Sequence, residues 1–558
     1  MKLLGYIILT WLAFVLYGCA QETMPSGGIK DEFPPEPISI TPSPLLTGFQ
    51  AKQFTYVFDE YIQVDDFNGQ LLVSPPLKKK AEYLHRGKSL TVSWQDTLLE
   101  NTTYQFNLGE AVKDFNEGNI NDGLIYVFST GDYIDSTSVR GSVFDAETNE
   151  PVEKAKVMLY QTWSDTLPYT TPPDYLALTN AKGEFTAQYL PPDTFMIFVL
   201  FEESSNYKYD GPPEKIGFLN STVVSAYRDS LTRFKVPLFL ESDTAQYIKE
   251  SSGKDFGYFE IVFNLPVTSP SIRFVEEEEE VGLQVELEAL NLLSAGGDTL
   301  RSWVKIGDRP ELEEVIVYYS DSTGYADTLS WFIETDPKYR EEAKLKPSAS
   351  ISGGKINRDK PVYIDFNHPL EKADTTLIHL IEDSTEAPLL SAKLTRLQRR
   401  LEVQYPFKRE TKYLLWAEAG AFEDIYGNYS DSLGFAFSPH EEDHYGSLTV
   451  NVILDDTLTD RSFVATLYDA KESPIRTFVI AQSGELDFGK LDPAKYTLKG
   501  FFDENGNEEW DTGNYKEGIQ PERKAFFTEE LNVRSNWDLD VDWIPTTPLD
   551  GVPKGSGE

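Results

Sequence analysis

Cysteine is almost absent from this chain of 558 residues: Cys19 is the only one. An intramolecular disulfide and any thiolate metal cluster are therefore excluded. Histidine is scarce as well, with 5 in the chain, so imidazole-based catalysis has few candidates. Positive charge falls far short of negative. The 50 Lys and Arg stand against 91 Asp and Glu, a net charge of -41. Phosphate binding needs a basic surface, so nucleic acid is not expected as a partner. Sustained helical periodicity is rare, and neither a glycine-rich phosphate cradle nor a nucleophile elbow appears.

Long apolar runs are missing too, apart from Leu3 to Tyr17. That run is too short for a bilayer span, which takes about 20 residues. Lys2 precedes it, and Leu16-Tyr17-Gly18-Cys19 closes it with a small residue before the thiol. A basic start, a brief apolar core and a small residue at the cut describe an export signal. Cleavage after Gly18 would leave Cys19 as an acylated first residue. Two or three chains, at roughly 0.8 kcal/mol per buried methylene, hold a protein stably on a membrane.

What the chain has in quantity is aromatic residues and turn formers: 30 Tyr, 34 Phe, 33 Pro and 37 Gly. Period-two alternation dominates. Phe54, Tyr56 and Phe58 share one strand face; so do Leu90, Val92 and Trp94, and Tyr104, Phe106 and Leu108. Such alternation predicts half-buried antiparallel strands. Glu277 to Leu293 reads either as a helix or as strands through Leu283, Val285 and Leu287, with the run Glu276 to Glu280 as a solvated hairpin tip.

Two repeats organise the rest. In 35–131, Leu90 to Trp94 is followed by Tyr104, Ala111-Val112-Lys113-Asp114 and Gly118-Asn119. In 346–438, Leu401 to Tyr405 is followed by Tyr413, Ala421-Phe422-Glu423-Asp424 and Gly427-Asn428. Asp bonds the amides of its own turn, and Gly-Asn tolerates positive φ, so these are turn formers first. The second repeat pairs 136–241 with 445–544. Gly183-Glu184-Phe185 precedes Leu190-Pro191-Pro192, and Gly484-Glu485-Leu486 precedes Leu491-Asp492-Pro493. The expected organisation is a lipoprotein signal peptide (1–18), a tether (19–34) and five modules at 35–131, 136–241, 242–340, 346–438 and 445–544. A tail (545–558) follows. Each module has the size of one β-sandwich.

Pro25-Ser26-Gly27-Gly28-Ile29-Lys30-Asp31 with Pro34-Pro35, just after Cys19, resembles the mature start of a Bacteroidota lipoprotein family. That family carries Ig-like domains of the S-layer protein (SbsA) type. The modules with Phe58-Asp59-Glu60 and Phe366-Asn367-His368-Pro369 resemble that Ig-like domain. The 136–241 and 445–544 modules resemble prealbumin-like or carboxypeptidase-regulatory-like sandwiches. The resemblance implies an all-β tandem array of Ig-like and prealbumin-like β-sandwiches. It also implies an outer-membrane envelope lipoprotein, and it brings no catalytic residues.

Three stretches invite chemistry. His440-Glu441-Glu442-Asp443-His444 has the zinc-peptidase spacing, which requires both His on one helical face with Glu as base. Pro439 before it and Tyr445-Gly446 after it instead predict a linker between strands. Asp503, Asn505, Asn507, the backbone of Glu509 and Asp511 place oxygens at alternate positions of a turn. That pattern suits a structural calcium ion, which takes 6–8 oxygen ligands; no other cofactor is required. Trp163, Trp303 and Trp331 are candidates to stack on sugars or to pack in cores. The expected function is a non-enzymatic scaffold or protein-binding lipoprotein of the outer membrane, facing periplasm or exterior, with other envelope proteins as partners. Surface glycan binding is the alternative, and a zinc metallopeptidase is the remote one.

Overall fold

A computed structural model describes residues 31–547, apart from 202–205, 228–232, 254–255, 279–282, 307–313, 334–343, 389–390, 396–397 and 455–460. The protein is all-β, as the alternation predicts. Its described residues fall into two compact units, one built on the chain to Leu240 and one starting at Glu241.

In the first unit, the strands Pro37–Thr41, Gln53–Phe58, Ser89–Ser93 and Glu82–Arg86 pair in that order. Ile125–Ser129, Thr103–Asn107 and Leu72–Ser74 form a second sheet. The predicted faces meet between them. Phe54, Tyr56, Phe58, Leu90, Val92, Trp94, Tyr104, Phe106 and Leu108 are all buried in one cluster. The Phe54 ring stacks on Tyr126 at 4.0 Å and meets Phe106 edge-on at 5.4 Å. Aromatic pairs in these arrangements add about 0.5–1.5 kcal/mol beyond area burial.

The chain from Thr137 builds one continuous sheet around a second core that includes Val143, Val157, Phe195, Val199 and Leu238. Thr137–Asp145 runs parallel to Arg233–Leu240 and antiparallel to Glu184–Leu190. Mutual bonds between Thr103 and Asp135 (2.8 and 2.9 Å) and a bond from Leu176 N to Ser74 Oγ (3.0 Å) join this module to the one before it. The unit also takes in Asn514–Pro521. There Tyr515 meets Phe198 and Phe218 edge-on and donates its hydroxyl to the Asp165 carbonyl at 2.7 Å.

The second unit holds three further cores. The first is flanked by two four-stranded antiparallel sheets containing Tyr258–Phe263 and Glu314–Ser320. In this module the stretch around Glu277 is a strand pair: Ser271–Glu278 with Leu283–Leu287. Glu276 to Glu278 thus belong to a paired strand rather than to the tip, and Glu279 and Glu280 lie outside the described residues. Of the two readings the strand one holds: Phe274 lies opposite Leu287, and Val285, two residues before it, continues the same period-two face.

The next core repeats the first. Pro347–Ala349, Val362–Phe366, Arg400–Gln404 and Ser391–Thr395 pair in the same order as their counterparts after Pro37. The last core repeats the second, with Gly446–Val452 parallel to Asp538–Trp543 and antiparallel to Gly484–Leu491. The sequence repeats are therefore topological repeats.

Close approach of three strands explains Gly141. A Cβ there would lie 2.5 Å from the Phe234 carbonyl oxygen and 2.7 Å from the Phe185 ring. Gly141→Ala is expected to destabilise the first unit by about 1–3 kcal/mol through overpacking. Urea unfolding should show a lowered midpoint with an unchanged slope.

Candidate functional site

Cys19 lies outside the described residues, as does the whole segment 1–30. No helix among the described residues is long and apolar enough to cross a membrane.

The acidic loop after Ala494–Asp503 is the best-formed candidate among the exposed turns. Asp503 ends the strand and is buried. Its Oδ1 accepts from Gly506 N (2.7 Å) and its Oδ2 from Glu508 N (3.2 Å) and Ser462 Oγ (3.2 Å). Burial alone would push this carboxyl up, but the amide bonds outweigh it and hold the group below the usual range. Gly506 takes φ +78°, which the tight turn requires. The Asn505 and Asn507 side-chain amides both donate to Asp511 Oδ2, at 2.6 and 2.8 Å. Their carbonyl oxygens accept from Asn507 N (3.0 Å) and Glu509 N (2.8 Å).

The structure thus brings Asp503, Asn505, Asn507, Glu509 and Asp511 into one loop, and side-chain oxygens of Asp503, Asn505, Asn507 and Asp511 accept from the loop's own N–H groups. Among the described residues, no group of three or more His, Cys, Asp or Glu side chains is arranged to hold a metal ion. A calcium ion would have to displace the two amide–carboxylate bonds.

Glu522, which sequence reading passed over, is the other closing element. It is buried, and its carboxylate accepts from Glu504 N at 2.7 Å and Asp511 N at 3.1 Å. Burial pushes this carboxyl up, with Asp511 and Asp503 adding to it and the two amides opposing. Trp510 Nε1 donates to the Glu522 carbonyl at 2.8 Å, and Lys524 Nζ lies 4.0 Å from the Trp510 ring. Only its distance from the loop, across an intervening segment, hid it.

The corresponding turns of 35–131 and 346–438 are each built on one aspartate. Asp114 accepts from the amides of Asn116, Glu117, Gly118 and Asn119. Asp424 accepts from the amides of Tyr426 (2.9 Å) and Asn428 (2.8 Å). The two copies differ in what faces the carboxylate. His368 Nδ1 pairs with Asp424 Oδ2 at 2.9 Å, both side chains buried. Burial would raise the Asp424 carboxyl, yet the bonds from His368 and Asn428 prevail and hold it below the usual range. In the first copy Glu60 stands at the His368 position. Its carboxyl is pushed up by burial and then by Asp114, Asp59, Asp31 and Glu117.

The stretch His440 to His444 is a linker with a single 3-10 turn at Glu442–His444, between the strands Leu433–Pro439 and Gly446–Val452. The two imidazoles stack face to face, 3.5 Å between centroids and 8° between planes. Glu442 is tied to Arg358 (3.1 Å), Arg409 and Lys490, so it joins the two flanking modules rather than facing the imidazoles. Trp303 and Trp331 are buried in the central module, while Trp163 is 65% exposed. Two of the three candidate sugar platforms are therefore packing residues.

Residues 31–130 match the family model of the bacterial Ig-like domain. No functionally curated protein matches the chain. Among solved structures, the chain is similar to the Bacillus anthracis TIE protein, at 10% identity over 94% of this chain and 76% of that one, with a TM-score of 0.14. It is also similar to a BcpA variant, the major pilin subunit of Bacillus cereus (9%, 74% and 99%, TM-score 0.15). A third likeness is to the S-layer protein rSbsC (10%, 84% and 64%, TM-score 0.16). At such scores these likenesses carry no argument about function.

Two outcomes follow from the geometry. Asp503→Ala leaves the Gly506 and Glu508 amides without their acceptor and should cost about 2 kcal/mol. Melting of the full chain should fall equally in calcium and in chelator; a wild-type melt that rises with calcium would make the loop an ion site. Removing His368 strands a buried carboxylate, so His368→Ala should cost about 3 kcal/mol at pH 7. The Asp424 pKa is depressed, so its contribution is present above the ordinary carboxylate value near 4 and lost as pH falls through the depressed one. Urea unfolding should therefore show a smaller difference between wild type and His368→Ala at pH 3 than at pH 7.

Proposed function

We propose that the chain is a non-enzymatic envelope lipoprotein. In this reading Cys19 carries the lipid at the outer membrane, and β-sandwich modules in series serve as a scaffold for other envelope proteins. One observation carries the reading. The buried residues of each of the five apolar clusters come from one contiguous stretch of chain, within 49–128, 139–238, 256–331, 356–437 and 448–543, with Tyr426 packed against the third from outside its stretch. A chain built this way spends its length on separate surfaces and edges rather than on one cleft. The export signal before Cys19 and the match to a bacterial Ig-like domain support placement in the envelope.

Binding would use strand edges or loops. The strand Pro474–Ile480 lies at the edge of its sheet, with Ile475 and Val479 exposed. Such an edge offers unpaired backbone groups to an extended partner segment. Cys19→Ser tests the anchor. The variant should leave the membrane fraction and lose metabolic palmitate labelling, and continued labelling would refute the anchor.

A further inference from the structure

One end of the first Ig-like domain is unusually apolar for an exposed turn. Phe33 is 78% exposed, Tyr61 61%, Phe115 66% and Ile120 46%. They belong to one end of the fold. Phe115 N donates to the Tyr61 carbonyl at 2.9 Å. The Asn119 side chain donates to the carbonyls of Asp31 (3.0 Å) and Phe33 (3.1 Å), and Asn121 holds Pro35 at 2.8 Å. Val112–Asp114 pairs with both Ile62–Val64 and Ile120–Asn121. The four amide bonds to Asp114 fix the turn that carries Phe115, so these rings are held by the fold.

The second Ig-like copy shows what such an end is for. There Ile425 takes the place of Phe115 after the turn aspartate, and its N donates to the Pro369 carbonyl (3.1 Å) as Phe115 does to Tyr61. Ile425 is only 6% exposed. Its neighbour Tyr426 packs into the central module's apolar cluster, 5.3 Å from the Phe256 ring, and donates its hydroxyl to the Phe256 carbonyl at 3.2 Å. The equivalent end is thus a covered surface in one copy and an open one in the other.

We propose that the open end seats on the membrane, with Phe33, Tyr61, Phe115 and Ile120 entering the headgroup layer of a phosphatidylethanolamine-rich bilayer. The inference rests on the reading of Cys19 as lipidated. Only residues 20–30 separate Cys19 from Asp31, and an extended chain reaches about 3.5 Å per residue. Asp31 therefore lies within about 40 Å of the anchor, and the described fold begins at this end. Tyr61 suits the interface because it joins an apolar ring to a polar hydroxyl, and Phe33 and Phe115 supply apolar surface to the headgroup boundary. The carboxylates of Asp31, Asp59, Glu60 and Glu117 at the same end suit ammonium headgroups and disfavour anionic ones. Lys88, over the Tyr61 ring at 5.5 Å and donating to the Asp59 carbonyl, supplies a local cation.

The single-cysteine sequence makes the test clean. Full-length lipidated protein is placed in vesicles of phosphatidylethanolamine and phosphatidylcholine bearing headgroup nitroxides. With Cys19 blocked by lipid, Phe115→Cys takes a fluorophore at one site, as does the control Trp163→Cys in the same unit. Quenching at 115 should exceed that at 163 by at least about twofold, since interfacial side chains sit about 5–10 Å into the headgroup boundary. Phe33→Cys, outside the sheets, repeats the measurement should the Phe115 variant fold poorly. Equal quenching at both positions, or crosslinks from 115 to a second copy instead of lipid, overturns the seat. Mass analysis of the N-terminal peptide reads the anchor separately. In a Cys19→Ser background, where the fluorophore again has a single site, quenching still seen at 115 would keep the seat without the anchor.

Discussion

Each module depends on keeping one face of a period-two strand out of water. Successive side chains point to opposite faces, so a slip of one residue would send Phe54, Tyr56 and Phe58 into solvent and Thr55 and Val57 into the core. Burying one such ring is worth about 1.5–3 kcal/mol, and the first core holds nine of the aromatic and aliphatic residues that the alternation names. Register is therefore fixed by the core rather than by the turns. The turns must then accept whatever geometry the register imposes. Gly141, wedged between Phe185 and the Phe234 carbonyl, shows the consequence inside a sheet: where strands approach this closely no side chain fits.

The acidity of the chain is solved locally by the same turns. A net charge of -41 repels itself in any compact state. Many of the carboxylates answer by accepting amide bonds from their own turn. Asp114, Asp424 and Asp503 do so, and so do Asp145 with Glu147 and Thr148, Asp321 with Thr323, and Asp469 with Lys471 and Ser473. An N–H dipole is a partner that a strand-to-strand turn always has to spare. This recurrent use explains how acidic and amide residues such as Asp503, Asn505, Asn507 and Asp511 bond within one turn. Oxygen at alternate positions is a pattern shared by ion loops and by closed turns, and spacing alone does not separate them.

Sequence alone made the fold legible because burial and turn chemistry are local. The alternation identified core faces, and Asp114 with Gly118-Asn119 and Asp424 with Gly427-Asn428 identified the repeat. What stayed hidden depends on contacts distant in sequence. Glu522 closes the 503–511 loop from beyond an intervening segment, and Asn514–Pro521 belongs to the first unit although its neighbours on both sides belong to the second. No period marks either. Trp303 and Trp331 could be assigned to core or surface only once their strands were paired, since a tryptophan fits a half-buried strand on either face. The tip of the Glu276 to Glu280 run was drawn too wide because charge alone does not end a strand whose other face is apolar.

The two copies of the first repeat differ beneath their turns. Asp59 and Asn367 occupy the same place, accepting from Glu36 N at 2.9 Å and Lys346 N at 2.6 Å. One residue later the copies part: Glu60 faces Asp114, and His368 faces Asp424. Two carboxylates side by side repel and are tolerable only where water still reaches them. A histidine–carboxylate pair tolerates full enclosure, because each partner satisfies the other. His368 meets Tyr426 edge-on at 5.0 Å, and Tyr426 in turn packs against the central module's core. The substitution therefore matches the surroundings of each copy. Where a neighbouring module closes over the turn, the carboxylate has an imidazole hydrogen-bond partner; where none does, carboxylates remain beside exposed rings. A free acidic end of that kind favours a wet, cation-bearing surface over a dry protein interface. In a chain of repeated modules, the chemistry beneath each turn thus records what that turn meets.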